Sequence, residues 1–467
     1  MPVFRPISLI FLCLILTTGC QDRRPVPLEP LIESLPEHFS RSGGNHPPGS
    51  PWWTDFKSPE LARFIQAGLA ENLDLQGAWA RLNQAKALAK AAQSPLYPEL
   101  QASAGAARNQ GRDQTGDTWT SDSFSLGLTA GYEVDLWGRV RADVARGRLD
   151  IQAGRAEMDA MALSLSGRIG ELWIDLLAVL QQEELFERQL NVNRQLLEAT
   201  RLRFAAGQAS ARDIFLQSRN IRSVAGAQIA LQGRKELLQS QLALLMGQPP
   251  GNKPELEQKQ FPDTPPIPDP GLPADLLSRR PDVRAAALRL QSASLSNVAA
   301  RAERLPQLRL NTSLNLNSQA IHALLDSWLL NLAADLTAPL FDGSRRQAEV
   351  ERTRALIDEQ LAAYRGTVLK AIREVEDALS REHELNQTVL NLEAQIQLSD
   401  MTGKETVWRY LNGREDVLSV LRAQTDTLNL SRELIKVRAD LLKTRITLYK
   451  ALGGTWTDSL NDRTGRN

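Results

Sequence analysis

Only two cysteines occur in 467 residues, Cys13 and Cys20, so no disulfide framework can hold this chain together. The four histidines, His38, His46, His322 and His383, are scattered without metal-ligand spacing. No H-E-x-x-H, G-x-S-x-G or phosphate-binding glycine loop is present, and Glu374, Glu376 and Asp377 read as a solvated helix face or a charged lumen; these features argue against an enzyme. Lys plus Arg (55) equals Asp plus Glu (55), which leaves no global attraction for nucleic acid. Aromatic residues make up 5% of the chain, which favours long helices over an aromatic-rich core. Beyond the first twenty residues no apolar run is long enough to cross a bilayer as a helix.

Those first residues read as an export address. Arg5 supplies a positive start, and Ile7 to Leu16 form an apolar run too short for a mature membrane helix. Thr17-Thr18-Gly19-Cys20 resembles a bacterial lipoprotein cleavage box, although Thr17 stands where Leu or Val is usual. A signal over 1–19 would leave Cys20 as the only cysteine, with a covalent lipid as its purpose and no other cofactor expected. Gln21 after it implies outer-membrane sorting. The alternative is a plain secretory signal with a chance cysteine.

What the chain does have is an internal repeat, 72–247 echoed by 280–453. A Pro-, Gly- and Ser-rich tether over 20–51 precedes the first repeat (52–247), and a Pro-dense linker over 248–273 precedes the second (274–453). The tail, 454–467, reads as flexible. Each repeat predicts two strands (99–108 and 124–136; 306–317 and 327–340), a long helix (138–205; 343–410) and a return helix (210–246; 415–452). Ile151, Met158, Leu165, Leu172, Val179 and Phe186 recur every seven residues, as do Leu421, Leu428, Ile435, Leu442 and Tyr449. A second row, Ile169, Leu176, Leu190 and Leu197, is interrupted by Glu183. Sustained heptads mean coiled-coil packing. At about 1.5 Å per residue, a helix from Gly138 to Ala205 is on the order of 100 Å long.

The strands alternate. Leu126, Leu128, Ala130, Tyr132 and Val134 interleave with Ser125, Gly127, Thr129, Gly131 and Glu133; Leu308, Leu310, Leu314 and Leu316 interleave with Arg309, Asn311, Ser313 and Asn315. One polar and one apolar face suit either a soluble sheet or a barrel wall between lipid and water. The export signal and the self-sufficient helix seams favour the wall. Four strands cannot close a barrel, so several chains must share one.

These residues resemble the outer-membrane efflux proteins of the TolC and OprM type, in their lipoprotein branch. The resemblance rests on Trp52-Trp53, Glu71-Asn72-Leu73-Asp74-Leu75, Glu133-Val134-Asp135-Leu136-Trp137-Gly138-Arg139, Ser278-Arg279-Arg280-Pro281-Asp282, Leu340-Phe341-Asp342-Gly343 and Tyr449-Lys450-Ala451-Leu452-Gly453. It implies a mainly α chain in a homotrimer, with four strands from each chain in a twelve-stranded transmembrane β-barrel continuous with a periplasmic coiled-coil α-barrel. The function it implies is a passive exit duct through the outer membrane, with a periplasmic adaptor and an inner-membrane efflux transporter as partners. Loops 109–122 and 318–326 would face outside the cell, and the short helices would stack end to end beside the long ones.

The same resemblance places the periplasmic tip and adaptor contact at Ala206, Gly207, Gln208, Asn412, Gly413 and Arg414. Its gate candidates are Tyr410 with Asp213, and an ion pair of swapped polarity between Arg212 and Glu415. Ser419 and Arg422 stand where such proteins often carry a ring of aspartates; lining the pore, they would weaken or reverse the cation preference such a ring gives, so cation selectivity is not expected of this chain from the resemblance. A periplasmic coiled-coil adaptor or scaffold without a pore is the competing reading; it explains the heptads but not the duplicated strand pairs.

Overall fold

The computed structural model describes residues 35–41, 44, 51–454 and 456–457; Cys20, the signal and most of the tether and tail lie outside them. The chain divides into two compact units, one of Arg81–Arg155 with Ala285–Gly366, the other of 35–80, 156–284 and 367–457. After a 3-10 turn at Trp52–Phe56 come α1 (Pro59–Glu71), α2 (Leu73–Ala92), β1 (Glu99–Arg112), β2 (Thr118–Val134), α3 (Arg139–Ala205) and α4 (Ala211–Leu245). The second half repeats the order with α5 (Leu276–Arg279), α6 (Pro281–Ala302), β3 (Gln307–Ser318), β4 (Trp328–Thr337), α7 (Arg345–Leu411) and α8 (Val417–Leu452).

The first unit carries the sheet. Its order is β1-β2-β3-β4, every neighbour antiparallel, with β1 and β4 as open edges. Opposed residues share a face. Ladder rows such as Ala102–Leu128–Leu314–Leu330 and Ala104–Leu126–Leu316–Trp328 therefore form one apolar face. It is bare: Leu128 is 42% exposed, Trp328 67% and Leu332 75%. Thr312, polar on this face, donates its hydroxyl to Asn331 O (3.2 Å). The β1–β2 connection is 113–117, shorter than the expected loop 109–122. The ladder continues because polar partners pair across it: Arg108 Nε donates to Asp122 Oδ1 (2.6 Å), and Asp113 Oδ1 closes the turn by accepting Asp117 N–H (2.8 Å). Weak apolar alternation had hidden that extension from the pattern.

Each strand pair feeds a long helix through an aspartate. Asp135 accepts the N–H groups of Val140 (3.1 Å) and Arg141 (3.0 Å) at the start of α3, and Asp342 accepts that of Arg346 (3.3 Å) at the start of α7. These are favourable anions at helix N-termini. Trp137 Nε1 donates to Pro306 O (2.6 Å), tying the β2–α3 corner to the start of β3.

The second unit packs the hairpins α3–α4 and α7–α8. Leu172, Val179 and Phe186 are each 2% exposed, as the heptad requires. Glu183, which interrupts the parallel row, is held by Lys235 on α4 (2.9 Å). Lys443 on α8 reaches Asp175 (2.9 Å), and Lys450 reaches Glu171 (3.3 Å), both on α3. The short helices meet end to end: Asn72 Nδ2 donates to Leu245 O (3.0 Å), and Arg280 Nη1 to Ala451 O (3.1 Å). Around the second junction Trp52 stacks on Tyr449 (6.1 Å) and Trp53 meets Trp456 edge-on (4.8 Å). Among the described residues no helix is long and apolar enough to cross a membrane.

Candidate gate and conduit

Both hairpin tips use one device. At the first, Gln208 N–H donates to Arg203 O (2.8 Å) and Gly207 N–H to Phe204 O (2.9 Å); at the second, Arg414 donates to Arg409 O (2.9 Å) and Gly413 to Tyr410 O (3.0 Å). This is a Schellman ending, which needs the left-handed region two residues past the last helical residue. Gly207 at φ +71° and Gly413 at φ +73° supply it. The return helices are capped at once: Ser210 and Asp213 exchange side-chain and backbone hydrogen bonds at the start of α4, and Asp416 accepts Ser419 N–H (2.8 Å) at the start of α8. The bond from the Ser419 backbone, with help from its side chain, holds the Asp416 carboxyl below its ordinary range. Ala206, Gly207, Gln208, Asn412, Gly413 and Arg414 are all exposed on these turns.

The two tips of one chain are joined beneath the turns. Leu196 on α3 packs with Tyr410, Val417 and Val420, with Leu216 and Val407 at the margin. Tyr410 is 3% exposed and its hydroxyl lies 3.1 Å from Thr200 Oγ1, itself fully buried. The Arg203 guanidinium sits over the Tyr410 ring at 4.5 Å, donates through Nη1 to Tyr410 O, and reaches Gln208 O through Nη2 (3.4 Å).

Two expectations change within one chain. Tyr410 meets Thr200 and Arg203 and not Asp213, because Asp213 is committed to the Ser210 backbone (2.9 Å) as a cap. Arg212 and Glu415 do not pair: Arg212 is exposed, and Glu415 accepts the Ser419 hydroxyl (2.8 Å). Ser419 and Arg422 share a shallow polar hollow with Thr402, Thr406 and Asp426. Arg203 is the residue that sequence reasoning missed. Its signal was positional, since it occupies the same place before the turn as Arg409, where a cation favours the helix C-terminus.

The conduit face is the polar side of the sheet. Rows such as Gln101–Thr129–Ser313–Asn331 put amides and hydroxyls on it, back to back with the leucine rows. A four-stranded antiparallel sheet with a bare leucine-rich face, a polar face and two open edges has the pattern of an outer-membrane barrel wall. The chain belongs to the outer membrane efflux protein family, whose pattern it matches over residues 64–248 and 272–454. It is 31% identical to the pyoverdine export outer membrane protein OpmQ of Pseudomonas aeruginosa, with 98% of each chain covered. It is 30% identical to the solvent efflux pump outer membrane protein SrpC of Pseudomonas putida, with 87% of each covered. The solved outer-membrane channel OprN has the same fold, with a TM-score of 0.82 at 24% identity over 98% of this chain and 99% of that one. The protein is thus an efflux channel of the outer membrane, and the pore-less adaptor or scaffold reading falls.

Proposed function

We propose that the protein is the passive exit duct of a tripartite pump, working as a homotrimer with three times four strands in one barrel. The observation that carries this reading is the pair of open edges, β1 and β4, on a sheet whose outer face is leucine-rich. Unpaired strand edges are not tolerated in lipid, and β1 of one copy pairing with β4 of the next removes both. The exposed turns carrying Gly207 and Gly413 are where a periplasmic adaptor engages, and an inner-membrane transporter supplies the energy. No catalytic residue is assigned. Cys20 carries a covalent lipid, the only attached group proposed. Cargo does not transfer from relatives: at nearly equal identity, 31% and 30%, one is named for pyoverdine and the other for solvent. The test is the native mass of the detergent-extracted protein from separated membrane fractions. A trimer in the outer membrane is expected; a monomer, or inner-membrane residence, overturns the reading.

A further inference from the structure

The polar face of the sheet is charged at one end only. Among the inward-facing strand residues, those toward the outer end and the middle are uncharged, typified by Gln101, Ser125, Thr129, Asn317 and Asn331. Every charge lies in the last two rows before the helices: Glu133–Arg309–Asp335, and Glu99 beside Gly131 and Asn311. We propose that this rim, Glu99, Glu133, Arg309 and Asp335, is a charge filter that makes the conduit prefer cations. The proposal rests on the shared-barrel reading, which repeats the rim once per chain around one opening.

The geometry fixes the sign. Arg309 lies between two carboxylates in the ladder, yet both have other partners: Glu133 Oε1 accepts Arg139 Nη2 (2.9 Å), and Asp335 Oδ2 accepts Asn311 Nδ2 (2.8 Å). Arg139 is itself shared with Asp143 (3.5 Å). Among the described residues, Glu99 accepts the neutral amide of Gln101 (2.8 Å) and no guanidinium. Three carboxylates therefore face two guanidinium groups, Arg309 and Arg139, leaving a negative surplus in each chain. A shallow hollow lined by Glu99, Gln101, Thr129, Asn311, Ser313 and Asn331 opens at the rim; Glu99 and Asp335 are exposed, and Glu133 is partly so. Like charges repeated around one opening with low-dielectric walls concentrate counter-ions there.

The test uses the purified full-length protein in planar bilayers under a potassium chloride gradient, reading the permeability ratio of potassium to chloride from the reversal potential. The wild type is expected to favour potassium. Glu99→Gln with Asp335→Asn lowers the ratio several-fold, and Arg309→Gln raises it several-fold. For a readout independent of assembly, Glu99→Cys pores are labelled during recording. A cationic methanethiosulfonate reagent lowers the ratio and an anionic one raises it. A ratio unmoved by the neutralising pair, by Arg309→Gln and by either label overturns the filter while leaving the channel intact. A wild type that forms no discrete pores overturns the channel reading itself, and the filter with it.

Discussion

Arg203 caps two helices at once: its guanidinium lies 4.5 Å over the Tyr410 ring, donates to the carbonyl of Tyr410 near the end of α7, and reaches Gln208 O beyond the end of its own helix. A cation there meets the negative ends of both helix dipoles. Removing it takes away a charge-assisted hydrogen bond worth about 2 kcal/mol. Arg203→Ala is therefore expected to raise the population of parted tips by roughly 30-fold. Arg203→Lys is intermediate, keeping the charge but losing the planar stack. Open probability in planar bilayers checks this, and an Arg203→Ala channel as quiet as wild type sinks it.

Leu128 and Thr129 are neighbours in sequence and opposites in environment. Leu128 sits mid-ladder in the leucine-rich row, while Thr129 belongs to the amide and hydroxyl row. Leu128→Arg is expected to cost about 2–4 kcal/mol where the barrel crosses the bilayer midplane, and to deplete folded protein from the outer membrane. Thr129→Arg faces water and is expected to assemble normally. Heat-modifiable mobility of membrane extracts distinguishes the two; equal losses would mean the faces are wrongly assigned.

What the sequence made legible follows from periodicity. Leucines at Leu126, Leu128, Leu314 and Leu316 occupy a shared face because period two leaves no other choice, and Leu172, Val179 and Phe186 are buried because period seven keeps a seam aimed inward. Gly207 and Gly413 were visible because helix reversal needs a left-handed residue. The interhelical partners were not. Tyr410 finds Thr200 and Arg203 through the way two hairpins far apart in sequence pack, and Asp213 is withdrawn from it by the local cap at Ser210. Local capping competes with long-range pairing for the same carboxylate, and a one-dimensional pattern does not rank them. Glu183 shows the converse, a flaw in the heptad explained only by Lys235 across the hairpin.

The pair formed by Glu382 on α7 and Arg445 on α8 is a second such partnership, with both side chains 2% exposed. Nothing in either helix's own pattern marked it. Breaking a buried pair leaves an uncompensated charge, so Glu382→Leu alone is expected to cost about 3–5 kcal/mol. Replacing both, as Glu382→Leu with Arg445→Met, removes the two desolvation penalties together and is expected to restore most of that loss. Chemical denaturation of the detergent-solubilised protein measures the cycle. If the double variant is as unstable as the sum of the singles, the pair is not an isolated electrostatic unit.

Tyr449 gives a pH signature. Burial, then its hydrogen bond to Asp55 Oδ2 (2.6 Å), pushes the phenol well above its ordinary value. A raised folded value means the folded state keeps a proton that the unfolded chain releases at about pH 10. The contribution is complete below that pH and is lost as pH rises toward the folded value. Thermal stability is thus expected to fall above about pH 10, Tyr449 contributing up to about 1.4 kcal/mol per pH unit. Tyr449→Phe is less stable at neutral pH but falls less steeply in alkali, since it has no proton to release on unfolding. The quantity to measure is the difference between the two melting curves across pH 8–12. A constant offset throughout would show that the Tyr449 hydroxyl is not held neutral by Asp55 and its aromatic surroundings.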